Sequence, residues 1–356
     1  VTATAAPPRR AGSAPARRAV VVLAAGIVLV VAGALVSACV GQLAVTPSQV
    51  LGALARGLGI GGVGAPAEAL VDQTLWQIRF PRVAMSLLVG ALLAVAGGVM
   101  QAIFGNPLAE PGVVGVSSGA ALGAAAAITF GALGGLQIAG AAFAGGLAAT
   151  LVVYATARSA GRTEMVTLLL TGIAVNAFAG AGLALMMFVG DTQSREQITF
   201  WQLGSLAGAR WGEVLVVAVL GGAAVAVALR LGPQYDLLAL GDRTAAHVGV
   251  RVERLRVGSV VLVALMTGVA VAFVGIIAFV GLVVPHVVRM LLGPAHRLLL
   301  VASAIGGAAL LVIADLLART LVPASDLPIG MLTSLVGGPF FYALIRRGRR
   351  QAGGWA

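Results

Sequence analysis

Long apolar runs, broken by short polar or glycine-rich segments, set the pattern of this chain. A helix needs about 20 apolar residues to cross a hydrocarbon core about 30 Å thick. That criterion picks out stretches at 19–40, 82–103, 113–130, 136–157, 164–189, 211–231, 257–273, 275–292, 298–318 and 328–346. The seventh and eighth run on with little polarity between them. As one helix, 257–292 would be about 54 Å long, too long for the core, so a break is expected within 273–281, "FVGIIAFVG". Ten spans make the chain an all-α, polytopic membrane protein with both termini on one side. Between spans, 41–80 reads as a glycine-rich loop with a short helix near 47–57. "ALGDRTAAHVGVRVERLRVG" (239–258) reads as a polar platform: two short helices, separated by Gly241 and Gly249, lying parallel to the membrane and facing a groove on a partner.

Charge placement supports this layout. All 23 basic residues are arginine, against 12 acids, for a net charge of +11. With the N-terminus inside, the inside segments hold Arg9, Arg10, Arg17, Arg18, Arg158, Arg162, Arg243, Arg251, Arg254, Arg256, Arg297, Arg346, Arg347, Arg349 and Arg350. The outside segments hold Arg56, Arg79, Arg195, Arg210 and Arg319; Arg82, Arg230 and Arg289 sit at span ends. Such an asymmetry is the positive-inside pattern, so the basic excess reads as topology and not as a nucleic-acid surface. It places both termini and the platform on the cytoplasmic side. Residues 1–18 read as a disordered basic arm, 19–350 as one transmembrane domain with short helices near 236–252, and 351–356 as a tail.

Composition narrows the function. A chain 60% hydrophobic, with mean hydropathy +1.04 and 10% charged residues, is no soluble domain. Without lysine it cannot carry a Walker A loop. A single cysteine, Cys39, excludes an internal disulfide; "LVSAC" (35–39) loosely resembles a lipoprotein cleavage site but serves equally as the end of a first span. No metal-binding or paired-carboxylate motif points to an enzyme. Acids such as Glu110, Glu164, Asp191, Asp236, Asp242, Glu253 and Asp326 lie at span ends or in loops. Only Asp315 lies well inside a span, with Arg319 one turn later. An ion-coupled secondary transporter would keep ionisable groups near the midplane, so that class stays an alternative, with Asp315 its one candidate. The pattern favours a transport body powered by another polypeptide.

Five quoted stretches carry a resemblance. "WQIRFPRVAMSLLVGALLAVAGGVMQAIFGNPLAEPGVVGVSSGA" (76–120), "LGDRTAAHVGV" (240–250), "GIIAFVGLVVPHVVRMLLGPAHR" (275–297), "ADLLART" (314–320) and "DLPIGMLTSLVGGPFFYALI" (326–345) resemble, in the same order, the FecCD-type permeases. These are membrane subunits of type II ABC importers for ferric siderophores, haem and cobalamin. "NPLAEPG" is especially close to the cobalamin permeases, although siderophore permeases share it.

The resemblance implies a type II ABC importer permease fold and a pathway between two permeases, the second a copy or a paralogue. It implies two ATPase subunits below and a substrate-binding protein above, with ATP and magnesium on the ATPase and no cofactor on this chain. Residues 240–250 would couple to the ATPase, through Leu240, Gly241, Asp242, Arg243, Ala245, Val248 and Gly249, with Arg251 beside them; Val248 replaces a commoner leucine. Arg79, Arg82 and Arg319 align with arginines that meet acidic residues on the binding protein. Asn106 and Leu108, in "FGNPLAEPG", align with a cytoplasmic gate. The second gate element falls at "RTEMVT" (162–167), which departs from the family's small polar residues and leaves Met165 and Val166 as candidates. Ferric siderophore is the expected cargo, with haem and cobalamin as alternatives.

Overall fold

The computed structural model describes residues 14–60, 68–131, 134–159, 162–322 and 325–351. Most of the predicted basic arm, and the tail beyond 351, lie outside them. Helix α1 (Ala14–Cys39) begins inside the predicted arm, so residues 14–18 are helical. The chain continues as α2 (Pro47–Gly57), α3 (Ala69–Thr74), a π-helical turn (Leu75–Arg79) and α4 (Phe80–Phe104). A 3-10 turn (Pro111–Val114) leads to α5 (Val116–Thr129) and α6 (Gly135–Ala157). A hairpin of two-residue strands, β1 (Arg158–Ser159) and β2 (Arg162–Thr163), precedes α7 (Met165–Val189). Then come α8 (Thr192–Leu203), α9 (Trp211–Val216), a π-helical turn (Val217–Gly221), α10 (Gly222–Arg230), α11 (Gly232–Leu238) and α12 (Asp242–His247). Helices α13 (Val252–Val274), α14 (Val280–Leu292), α15 (His296–Ala318) and α16 (Ile329–Gln351) complete the described chain.

Among the described residues, seven helices are long and apolar enough to span a membrane, and three shorter apolar helices, Val116–Thr129, Val280–Leu292 and Ile329–Ala343, occupy the other three predicted stretches. One boundary differs notably. The second span starts at Ala69, not 82, because α3 runs through the π turn into α4. Pro81 explains the turn: it has no N–H to donate, and the widened turn just before it accommodates the ring and the missing bond. Residues 47–57 are helical as expected, with a capping box between Thr46 and Gln49. Helix α8 is capped by Asp191, whose carboxylate accepts from Ser194 N–H at 2.7 Å; that bond holds its pKa below the usual range.

Helix α4 is the axis of the bundle. Its most apolar window is 78% buried, against 0% for α1, which lies at the periphery on α15. Around α4 pack α15, α14 and α13; a second layer joins α5 to α6 and α7. Two glycine contacts bring α4 this close to its neighbours. A Cβ at Gly90 would lie 2.2 Å from the Gly307 carbonyl oxygen of α15, and one at Gly97 1.7 Å from that of Gly281 in α14. The backbones touch, and no side chain fits between them.

The predicted break is real: α13 ends at Val274 and α14 begins at Val280. Irregular backbone at this depth has to find partners within the protein. Gly275, at φ +74°, turns the chain; the Val274 carbonyl accepts from Ser205 N–H (2.8 Å), and Ile329 N–H bonds the neighbouring Gly204 carbonyl (3.1 Å). Loop 203–206 and the start of α16 therefore bracket the break. Phe279 leaves it at φ +68°, the one non-glycine with positive φ among the described residues.

Substituting Gly97→Val should cost about 3 kcal/mol or more, because the obstacle is a carbonyl of a packed helix. Gly258→Ala on α13, where an added Cβ meets nothing within 4 Å, should be neutral or stabilising by up to about 1 kcal/mol. Thermal unfolding in detergent compares the two. Equal melting temperatures would show that the α4–α14 contact does not limit packing.

Candidate functional site: the platform, the gate segments and the arginine cluster

The platform is α11 and α12, with a glycine bending the chain on each side of α12. Gly241 (φ +99°) and Gly249 (φ +93°) flank α12, and an added Cβ at either would meet open space. Glycine is needed there for its φ and not for room. Ala245 is fully buried and seats α12 on the bundle, while Leu240 and Val248, 66% and 59% exposed, project on either side. Arg243 and Arg251 are exposed. Asp242, at the first turn of α12, pairs with Arg256 of α13 at 2.9 Å. Beside them lies a recess of about 500 Å³, lined in part by Gln234, Val248, Gly249, Arg251 and Arg254. The surface thus offers two apolar knobs, bent backbone and free positive charge, the ingredients of a docking contact.

Two ties fasten this surface to spanning helices, and a third fastens α13, into which it leads, to the hairpin before α7. Tyr235, fully buried on α11, has its hydroxyl 2.9 Å from Ser259 Oγ, which donates to the Leu255 carbonyl. Burial pushes the Tyr235 phenol up to about 12. Asp236 accepts from the His296 N–H (2.7 Å) and lies 2.9 Å from His296 Nδ1, at the N-terminus of α15, where a carboxylate also meets the favourable end of the helix dipole. Glu253, in the first turn of α13, grips Thr163 of β2: Oε2 accepts the backbone N–H at 3.1 Å and Oε1 the hydroxyl at 2.5 Å.

The first segment expected to form a gate follows α4. Asn106 Oδ1 accepts the Leu108 N–H at 2.9 Å, closing an Asx turn, and both residues are exposed. One side of α14 secures this loop. Gln101 Nε2 donates to the Leu282 carbonyl (3.3 Å) and its Oε1 accepts from Arg289 (3.1 Å); His286 lies near the Pro107 backbone, and Glu110 near the Phe279 backbone. Burial raises the Glu110 pKa, and the nearby Phe279 backbone N–H opposes part of that rise. Of the second pair, Val166 is exposed and Met165 half-buried in the first turn of α7. The 3-10 turn links the two elements: Gly172 of α7 sits against the Val113 carbonyl, and Asn176 reaches the Gly112 carbonyl at 3.4 Å.

At the opposite end of the bundle the three arginines point inward. Arg79, 5% exposed, donates to the carbonyls of Ala38, Cys39 and Leu43. Arg319 donates to the Ser37 and Val40 carbonyls and lies 3.5 Å from Asp315. Both cap the C-terminal end of α1, where carbonyls lack helical partners and the dipole favours a cation. Arg82 bridges Asp315 (2.9 Å) and Asp326 (2.7 Å). Asp315, 1% exposed, is therefore held between two guanidiniums, with Arg82 the nearer. A recess of about 420 Å³ opens beside the three, lined also by Gln42, Thr74 and Asp326.

Sequence reasoning assigned no role to Thr163, Tyr235, Gln101 or Arg289, and put Glu253 only among the platform charges. Gln101 did carry a signal, as the one amide of α4 and the one polar side chain in its second half. The Thr163–Glu253 pair carried none, since its partners lie 90 positions apart.

Comparison with known proteins places this geometry among relatives. The model described as the FecCD transport family matches residues 28–347. The chain is 41% identical over 317 residues to a hemin transport system permease protein of Yersinia pestis, covering 83% of this chain and 94% of that one. It is 42% identical over 288 residues to a cobalamin import system permease protein of Halobacterium salinarum, covering 80% and 75% respectively. A solved structure described as an inward-facing conformation of a metal-chelate type ABC transporter superposes with a TM-score of 0.81, at 29% identity, covering 92% of this chain and 99% of that one.

Replacing Arg82 with alanine leaves buried Asp315 with one guanidinium at 3.5 Å and should cost about 3–5 kcal/mol. The Arg82→Ala/Asp315→Ala double variant should be less impaired than Arg82→Ala alone. Melting temperatures in detergent test this, and strictly additive losses would refute the pairing.

Proposed function

The chain belongs to the FecCD transport family and is a membrane-spanning permease of an ABC importer, a transport component and not an enzyme; from that premise we propose how it works and what it carries. The observation that carries the reading is the platform, with Leu240 and Val248 exposed on either side of buried Ala245 and two glycines at positive φ. In this reading Leu240, Gly241, Asp242, Arg243, Ala245, Val248, Gly249 and Arg251 meet a cleft on an ATPase subunit, which holds ATP and magnesium. Two such ATPases serve two permeases, the second a copy or a paralogue, with the platform and both termini on the cytoplasmic face. Asn106 and Leu108, with Met165 and Val166, narrow the cytoplasmic end of the pathway. A binding protein docks at the opposite end, over the recess beside Arg79, Arg82 and Arg319. Because those guanidiniums are bonded inward, their part is to supply positive field for encounter and to hold the docking surface in shape.

The cargo proposed is a bulky metal chelate, a ferric siderophore in the first instance. The family passes several chelates through one fold, and a pathway for such cargo needs to be wide and weakly binding. Haem is the second reading, favoured by the Yersinia hemin permease, which the chain matches over 94% of its length; cobalamin is the third. Asp315, paired with Arg82 and Arg319, is poorly suited to an ion-coupled cycle, because a coupling carboxylate has to exchange its ion.

Uptake of iron-55 carried on a hydroxamate siderophore should fall on deletion of the chain and return on complementation. Excess haem or cobalamin should leave it unchanged. Unchanged iron uptake with reduced haem or cobalamin accumulation would replace the substrate; uptake that continues without the ATPase and stops in Asp315→Asn would replace the mechanism. At the platform, Leu240→Asp or Val248→Asp should weaken ATPase binding by about 2 kcal/mol, roughly 30-fold in Kd. Undiminished co-purification of the ATPase with both variants would remove the platform from the interface.

A further inference from the structure

Helix α12 is joined to α13 by the Asp242–Arg256 pair, and α13 begins one residue after Arg251. In that first turn the Glu253 carboxylate reaches across to the connection between α6 and α7. It accepts from Thr163 twice, once from the backbone and once from the hydroxyl, and Thr163 is 5% exposed. Among the described residues no other side chain from outside 158–167 bonds this hairpin. Two bonds from one carboxylate fix position and orientation together, and bonds to an ionised acceptor are the stronger kind. Thr163 is followed by Glu164 and then by Met165, the first residue of α7. The Glu164 N–H is bonded to the Ala157 carbonyl and its own carbonyl to the Leu168 N–H, so little slack separates Thr163 from the first turn of α7. Helix α7 is also weakly held by the rest of the subunit, its most apolar window only 11% buried.

We propose that Glu253 is a positioning residue that transmits displacement of the platform, through Thr163, to the first turn of α7. The inference rests on the reading of the platform as the ATPase contact. The line runs from α12 to Asp242–Arg256, then Glu253–Thr163, then Met165 and Val166. When the ATPase displaces the platform, the tied hairpin carries the α7 terminus with it, and the exposed Val166 changes its surroundings. A clamp with a purely structural role would stabilise the hairpin without making α7 respond to nucleotide.

The test uses the full permease assembled with its ATPase in lipid nanodiscs, with Cys39→Ala removing the native thiol and Val166→Cys as reporter. Labelling by a charged maleimide is timed without nucleotide and with ATP and vanadate. The parent should change its labelling rate by about 5-fold or more, as a coupling of at least 1 kcal/mol requires. Glu253→Met and Thr163→Val should each bring that ratio close to one while the ATPase stays bound, and the double variant should do no more than either single. Thr163→Ser, which keeps both donors, should respond like the parent. The proposal fails if the single variants keep the parent's response, if Thr163→Ser loses it, or if the parent does not respond. A parent that binds no ATPase fails earlier and takes the functional reading with it. A parent that binds and responds while Glu253→Met does the same removes only this inference.

Discussion

Backbone contact between α4 and its neighbours is the constraint on which the rest of the structure depends. Gly90 against Gly307 and Gly97 against Gly281 bring three helices closer than any pair of side chains allows. In an apolar solvent helix association gains little from hydrophobic burial, so close packing and internal hydrogen bonds have to supply it. With α4 held at the axis, its two ends become fixed reference points. Arg82 at one end finds Asp315 and Asp326, and Gln101 at the other finds Leu282 and Arg289.

The two ends use charge differently. At the arginine end the cations are bonded to helix carbonyls and buried carboxylates, which fastens peripheral α1 and the α15–α16 corner to the bundle. At the platform end several arginines are left exposed, and the acids tie short helices to long ones. The first arrangement suits a frame that holds its shape. The second suits a surface that receives a partner and passes its displacement on. The broken segment between α13 and α14 joins these regimes: Phe279 lies near Glu110 of the loop after α4, while loop 203–206 and α16 satisfy the other side.

Much of this was legible in the chain. Each of the ten apolar stretches has its helix, the break falls within the predicted segment, and Gly241 and Gly249 have the positive φ that a bend between short helices requires. The quoted stretches indicated the family whose model matches residues 28–347. Where the reading differed, the causes are local. The second span begins at Ala69 because a π turn carries the helix past Pro81, a device that hydropathy does not register. Residues 14–18 are helical because α1 extends beyond its apolar run.

Hydrophobic runs and glycine spacing are properties of neighbouring residues, and by themselves they determined the spans and the bends around α12, while the family was legible in the resemblance of the quoted stretches. Partners for the polar groups were beyond their reach. Arg82 and Asp315 lie 233 positions apart, Arg319 and Ser37 lie 282 apart, and Thr163 and Glu253 lie 90 apart. A guanidinium's local sequence is the same whether it faces water or a helix end. Only the packing of α1, α4 and α15 decided that these arginines face inward, because a buried charge is tolerable only where the fold surrounds it with acceptors.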